Sequence, residues 1–258
     1  MSLNNTITYE FPLNERIRVF IRLEQLFQQF IHFSEGESTT DKRAAVIVLL
    51  DIMAIFKRND LKLEILKELD RQALILNKIA NSEGVDKEKL DAILDQLKHI
   101  TQKLNTVPGK IGGTIQDNDL FKSIIQRSSI PGGTCSFDLP EYHYWLSQDD
   151  AVCLSDLQHW SSPFIDIHTA IDFILNFIRT SRQGKQEIAV AGFFQVSLNQ
   201  NQPFQIVKVT LDKSLQCFAE ISGGKHRCNI RFMEPSADNT RPTQSTSDIP
   251  FTLTCCVF

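Results

Sequence analysis

At 258 residues, 42% hydrophobic and 22% charged, the chain is too apolar for a disordered polyelectrolyte and is near the size at which one core gives way to two. A net charge of −4 argues against a general nucleic-acid binder, whose phosphate contacts require a basic excess. No run of about 18 apolar residues offers a membrane span, and Met1–Glu10 has neither a basic segment nor an apolar signal core, so a cytoplasmic protein without direct membrane insertion is expected.

In chain order, Ile7-Thr8-Tyr9-Glu10-Phe11 alternates and predicts a strand free to pair with a sheet formed later. From residue 13 to about 182 the apolar period is helical. In the first helix Ile17, Phe20, Ile21, Phe27 and Ile31 follow one face and Val19, Leu23, Leu26 and Phe30 another, so neighbours are expected on two sides. A second helix is predicted from near Thr40 to Arg58 and a third from an Asp60 cap to about Ala80. Asp86 caps a fourth, with Val85 and Leu90 spaced as a hydrophobic staple and Pro108-Gly109 as its stop. Asp117 or Asp119 opens a short helix through Phe121 and Ile125. Pro140 suits the first turn of another, carrying His143 and Trp145, and Ser162-Pro163 starts the last long one.

Ahead of Pro140 lies Ser129-Ile130-Pro131-Gly132-Gly133-Thr134-Cys135-Ser136-Phe137-Asp138-Leu139. A Gly-Gly pair opens backbone angles closed to other residues, so this run reads as a loop of one definite shape. Past Gln183-Gly184 the period falls to two, predicting strands over residues 188–198, 204–211, 217–222, 227–233 and 251–258. Asn199-Gln200-Asn201-Gln202-Pro203 reads as a hairpin connection, and the polar stretch 235–249 as a mobile loop. The fold class is α+β: a helical domain over residues 12–183, then an antiparallel β-sheet domain over 184–258, to which the strand at 6–11 adds.

Chemistry-bearing motifs are scarce. The six cysteines show no CxxC spacing, so reduced thiols are expected and no metal or other cofactor. Cys255 and Cys256, adjacent in a strand, should point to opposite faces. Gly223-Gly224-Lys225 departs from a phosphate-binding loop, with Ala219 where the first glycine belongs and His226 where Ser or Thr belongs. Cys135, with Asp138 and His143, supplies the residue types of a thiol nucleophile and its base, so a cysteine-dependent hydrolase or acyl transferase is the alternative reading.

Charge divides unevenly. Residues 1–183 carry 20 cationic and 25 anionic side chains, whereas residues 184–258 carry 7 and 6, with Lys225, Arg227 and Arg231 close together. Four residues apart in a strand, Arg227 and Arg231 present two forked donors on one face, suited to carboxylates.

Four blocks carry a resemblance: Pro12-Leu13-Asn14-Glu15-Arg16; Leu66-Lys67-Glu68-Leu69-Asp70-Arg71-Gln72; the Gly-Gly loop; and Ile221-Ser222-Gly223-Gly224-Lys225-His226-Arg227 with Ile230-Arg231-Phe232-Met233. In this order, over nearly the whole chain, they resemble the ZapD family of cell-division proteins. The resemblance implies a non-enzymatic homodimer, paired mainly through the helical domain. It would bind the C-terminal tail of FtsZ, bundle FtsZ filaments and support the Z-ring at the midcell division site. The resemblance further implies that Arg58, Arg127, His143, Lys225, Arg227 and Arg231 line a basic groove for that acidic, partly apolar tail. The polar stretch 235–250 and the residues beyond Cys255-Cys256 depart from the family's usual pattern without touching those six.

Overall fold

The computed structural model describes residues 5–58, 60–80, 86–106, 111–112, 115, 118–199, 201–224, 226–236 and 241–258. The fold is α+β, helices first and antiparallel strands after. The chain separates into two compact units, Ile21–Ile174 and the residues up to Phe20 together with those from Leu175 on, the divisions falling inside helices α1 (Glu15–Ser34) and α8 (Ile165–Arg179).

Within the helical unit, α2 (Thr39–Arg58) packs on α6 (Pro140–Leu146) and α7 (Asp150–Ser161), α3 (Leu61–Ile79) on α4 (Lys87–Thr106), and α5 (Asp119–Ser128) on α6. One stripe of α1, Leu23, Phe27 and Phe30, is buried, whereas Ile21 and Leu26 are half-buried on its flanks. An aromatic cluster fills the space beneath α6. Trp160 meets Phe121 at 5.1 Å and Trp145 at 5.2 Å between ring centroids, and the Trp145 indole N–H donates to Asp156 Oδ2 at 2.9 Å. Burial pushes the Tyr142 phenol up to about 12. The Leu66–Gln72 block is partly interior: Glu68 and Gln72 are fully buried, Glu68 pairing with Arg71 and Gln72 donating to Ile174 O at 3.4 Å.

Two helix starts differ from expectation. The cap of α5 is Asn118, whose Oδ1 accepts from Phe121 N at 2.8 Å, so Asp119 is the first helical residue and Asp117 lies outside the described residues. Asp60 occupies the cap position of α3 without making a side-chain cap bond. Asp86 does cap α4, accepting from Lys89 N at 3.2 Å; its staple partner Val85 and the Pro108-Gly109 stop lie outside the described residues. The break at Ser147–Asp149 and the separate helix α7 were not anticipated, because Cys153, Leu157 and Trp160 continue the apolar spacing of α6.

The β unit holds β1 (Thr6–Pro12), β2 (Lys185–Ala189), β3 (Phe193–Ser197), β4 (Phe204–Asp212), β5 (Phe218–Gly223), β6 (Arg227–Glu234), β7 (Thr243–Gln244) and β8 (Ile249–Val257). One antiparallel sheet runs β1-β4-β8-β2; a second runs β3-β6-β5, with β7 also on β6. Val207, Val209, Leu211, Phe251 and Leu253 of the first sheet share a core with Ala219, Cys228, Ile230 and Phe232 of the second. The other face of the first sheet meets the end of α8. There the Phe177 and Phe258 rings lie 4.3 Å apart, and Arg179 grips both Glu10 oxygens, Nη2 to Oε2 at 2.7 Å and Nε to Oε1 at 2.9 Å. Cys255 packs against the shared core while Cys256 turns its thiol to Arg179 O, so the two do take opposite faces.

Three expectations for this half are corrected. Residues 188–198 form two strands on different sheets joined by a tight hairpin turn, closed by the Val190–Phe193 bridge, because Ala191 (φ 47°) and Gly192 (φ 68°) both take left-handed angles and reverse the chain. The connection after β3 is no hairpin, since among the described residues no ladder or bridge pairs β3 with β4, which joins the other sheet. Much of 235–249 is tied down: β7 pairs with β6, and buried Ser245 donates its N–H to Phe232 O at 2.9 Å, leaving residues 237–240 outside the described set.

Candidate functional site

Alternation along β6 sends Cys228, Ile230 and Phe232 into the shared core and leaves Arg227 and Arg231 exposed on the outer face, with half-buried Asn229 between them. Across the ladders, Arg231 stands opposite Phe193 on β3 and Glu220 on β5, Asn229 opposite Gln195 and Ser222, and Arg227 opposite Ser197. Among the described residues neither Arg227 nor Arg231 forms an ion pair. This face carries two forked, water-facing donors on a rigid strand, an arrangement that suits carboxylates.

The other sequence-predicted residues are placed differently. Arg127, in the last turn of α5, lies 3.6 Å from Asp138 and is partly exposed. His143 is exposed on α6, its backbone N–H bonded to Leu139 O at 3.0 Å, and no hydrogen bond or ring contact joins it to Arg127. Both belong to the helical unit, Arg227 and Arg231 to the β unit. The side chain of Arg58 and the whole of Lys225 lie outside the described residues.

The Gly-Gly loop is a stack of turns: Ile130 N to Arg127 O at 3.0 Å, Gly133 N to Ile130 O at 2.9 Å, Cys135 N to Gly132 O at 3.0 Å and Leu139 N to Cys135 O at 2.9 Å. Gly132 sits at φ 73°, and a Cβ on Gly133 would lie 2.5 Å from Arg127 O. The residues of the thiol reading are present but not joined: among the described residues no hydrogen bond links exposed Cys135 to His143, and Asp138 faces Arg127. Gly223-Gly224 turns the β5–β6 hairpin, with Gly224 N donating to Arg227 O at 3.0 Å. A hairpin aims no helix N-terminus at a phosphate, so the phosphate-loop comparison fails on geometry. Among the described residues no group of His, Cys, Asp and Glu gathers as a metal site, and no helix is long and apolar enough to cross a membrane.

The hairpin tip at Ile188, Val190 and Phe193, all outward, escaped the sequence reading, which ran one strand through it. Its one available signal was Gly192 inside the apolar run.

Fold and surface thus define an α+β protein with two exposed arginines on the outer face of a β-sheet. The profile of the ZapD family, described as a cell division protein, matches residues 21–231. The chain is 44% identical to the cell division protein ZapD of Methylococcus capsulatus, the match covering 99% of this chain and 100% of that one. It is 38% identical to the cell division protein ZapD of Nitrosomonas eutropha over 97% of this chain and 99% of that protein, and 35% identical to that of Aromatoleum aromaticum over 99% of each. The chain belongs to the ZapD family of cell division proteins.

Proposed function

We propose that the protein binds the C-terminal tail of FtsZ and, as a homodimer in the cytoplasm at midcell, cross-links FtsZ filaments into bundles that stabilise the Z-ring during septation. The observation that carries this reading is the exposed pair Arg227 and Arg231 on one face of β6, without ion-pair partners among the described residues. Lys225, adjacent in sequence, adds charge to the same segment. Arg58, Arg127 and His143 are the helical domain's contribution to tail binding. The work is binding, and no catalytic step or cofactor enters it.

One tail on one such face binds weakly, on the order of micromolar or about −8 kcal/mol. A two-fold dimer carries two faces, and a filament presents many tails at high local concentration, so bridging becomes favourable while each contact stays transient. Recognition through exposed guanidiniums is screened by salt, and bundling falls steeply as ionic strength rises. Co-sedimentation with polymerised FtsZ, intact or lacking its last dozen or so residues, tests the reading. Arg227→Glu/Arg231→Glu is expected to abolish pelleting with intact filaments while sedimentation velocity still reports a dimer. Undiminished pelleting of either the double variant or the tail-less filaments overturns it.

A further inference from the structure

We propose that the apolar tip of the β2–β3 hairpin and the two β6 arginines form one continuous docking face for an extended acidic peptide that also carries apolar side chains. This rests on the tail-binding reading above and assigns the apolar half of that site.

Ile188 is 59% exposed, Val190 66% and Phe193 39%. The register makes them neighbours of the cationic face. Val190 and Phe193 are bridge partners across the turn, Phe193 is the cross-strand partner of Arg231, and Ile188 precedes Val190 by two residues and so shares its side. The tip is held rigidly outward. Ala191 N donates to Asp248 Oδ1 at 3.0 Å, Gln244 Nε2 to Ala191 O at 2.9 Å, and Phe232 N to Gly192 O at 2.8 Å. A Cβ on Gly192 would lie 2.5 Å from Ser245 O, so the turn depends on that glycine. Such a turn favours Asn or Asp ahead of its glycine; Ala191 stands there instead and keeps the tip free of polar side chains. Apolar side chains on a backbone that cannot fold back are the composition of an anchor.

Charge selects the occupant. A neutral apolar partner would cover Phe193 and leave the neighbouring Arg231 without a counter-charge. Glu220, opposite Arg231 on β5, makes no ion pair with it among the described residues. Arg227 and Arg231 are about 13 Å apart along the strand, so carboxylates about four residues apart in an extended ligand meet both. Apolar side chains at one end of that ligand then cover Val190 and Phe193.

The test is a fluorescence-anisotropy titration of the full-length protein with a labelled FtsZ tail peptide and with the same peptide whose apolar residues are replaced by serine. Val190→Thr/Phe193→Thr keeps strand-forming side chains. It is expected to weaken binding of the native peptide about tenfold with its salt dependence unchanged, and to leave the serine peptide's affinity as in the wild type. Arg227→Gln/Arg231→Gln weakens both peptides and flattens the salt dependence. Ile188→Thr/Val190→Thr, at the two most exposed positions, repeats the test where thermal unfolding shows Phe193→Thr to be damaged. Wild-type affinity in the hairpin variants, or equal losses with both peptides, overturns the inference while tail binding stands. Failure of the wild-type protein to bind the native peptide removes both.

Discussion

The Gly-Gly loop of the helical unit and the β2–β3 hairpin of the β unit solve one local problem in similar ways and differ in what surrounds them. Each lifts apolar side chains into water beside a turn that depends on glycine: Phe137, 82% exposed, beyond Gly132 and Gly133, and Val190 and Phe193 around Gly192. Near the loop, cations are committed to its own shape. Arg127 pairs with Asp138 at 3.6 Å, and Arg43 donates to Thr134 O at 3.4 Å while lying 5.2 Å over the Tyr142 ring. Near the hairpin, Arg227 and Arg231 face water. The most conspicuous run in the sequence is thus chiefly a built shape, and a plainer strand keeps its charges available.

Five experiments press on that contrast. The largest effects lie beneath each surface: Trp160→Ala under α6 and Phe232→Ala under β6 remove fully packed rings and are expected to cost about 3–5 kcal/mol each in denaturant unfolding. A cost below about 1 kcal/mol at either site would mean the surface above it has no firm base. Next come the glycines. Gly133→Val and Gly192→Val force a Cβ to within 2.5 Å of a backbone carbonyl, and each should destabilise by about 2–3 kcal/mol. Gly224→Ala, with open space around it, should stay within about 0.5 kcal/mol of wild type.

Asp138→Asn asks whether the loop's cation is idle because it is paired. The partly exposed Arg127–Asp138 pair contributes less than about 1 kcal/mol, and its loss should raise tail-peptide affinity about two- to threefold as Arg127 becomes available. Unchanged affinity would take Arg127 out of the binding surface. The effect least visible at neutral pH is a pH dependence under β6. Burial raises the Cys228 thiol from its ordinary 9.0 to about 11. The folded state therefore holds that proton more tightly than the unfolded chain. The resulting stabilisation is complete below 9.0, declines as pH rises and is gone once pH passes about 11. Cys228→Ala should make this alkaline limb shallower in urea titrations between pH 8 and 11, with Cys256, which burial also raises to about 11, sustaining part of the remainder. Under native conditions near neutrality, iodoacetamide should label exposed Cys135 well ahead of buried Cys228.

Local periodicity made the long elements legible. Helices α1 to α4, the Pro140 start of α6 and the strands β4, β6 and β8 follow from apolar spacing, caps and prolines, because each is a property of a few consecutive residues. The pairing of Arg227 with Arg231 on one face was legible for the same reason, as strand side chains alternate. The hairpin at Ala191-Gly192 was not, since an apolar turn inside an apolar run has no pattern of its own. Its reversal is decided by contacts with Ser245 and Asp248, more than fifty residues away. The ordering of Ser245 is likewise illegible locally: a polar residue reads as loop until the Phe232 carbonyl accepts its N–H.

By itself, then, the amino-acid order determined the α+β class, most element boundaries and the two arginines that share a face, which rest on short-range pattern, and the family, which rests on blocks spread along the chain. Tertiary structure alone decided which cations stay available and which are taken up by neighbours. It also decided that an apolar tip stands beside Arg231, because ion pairing and exposure depend on groups that meet only once distant strands and loops have packed.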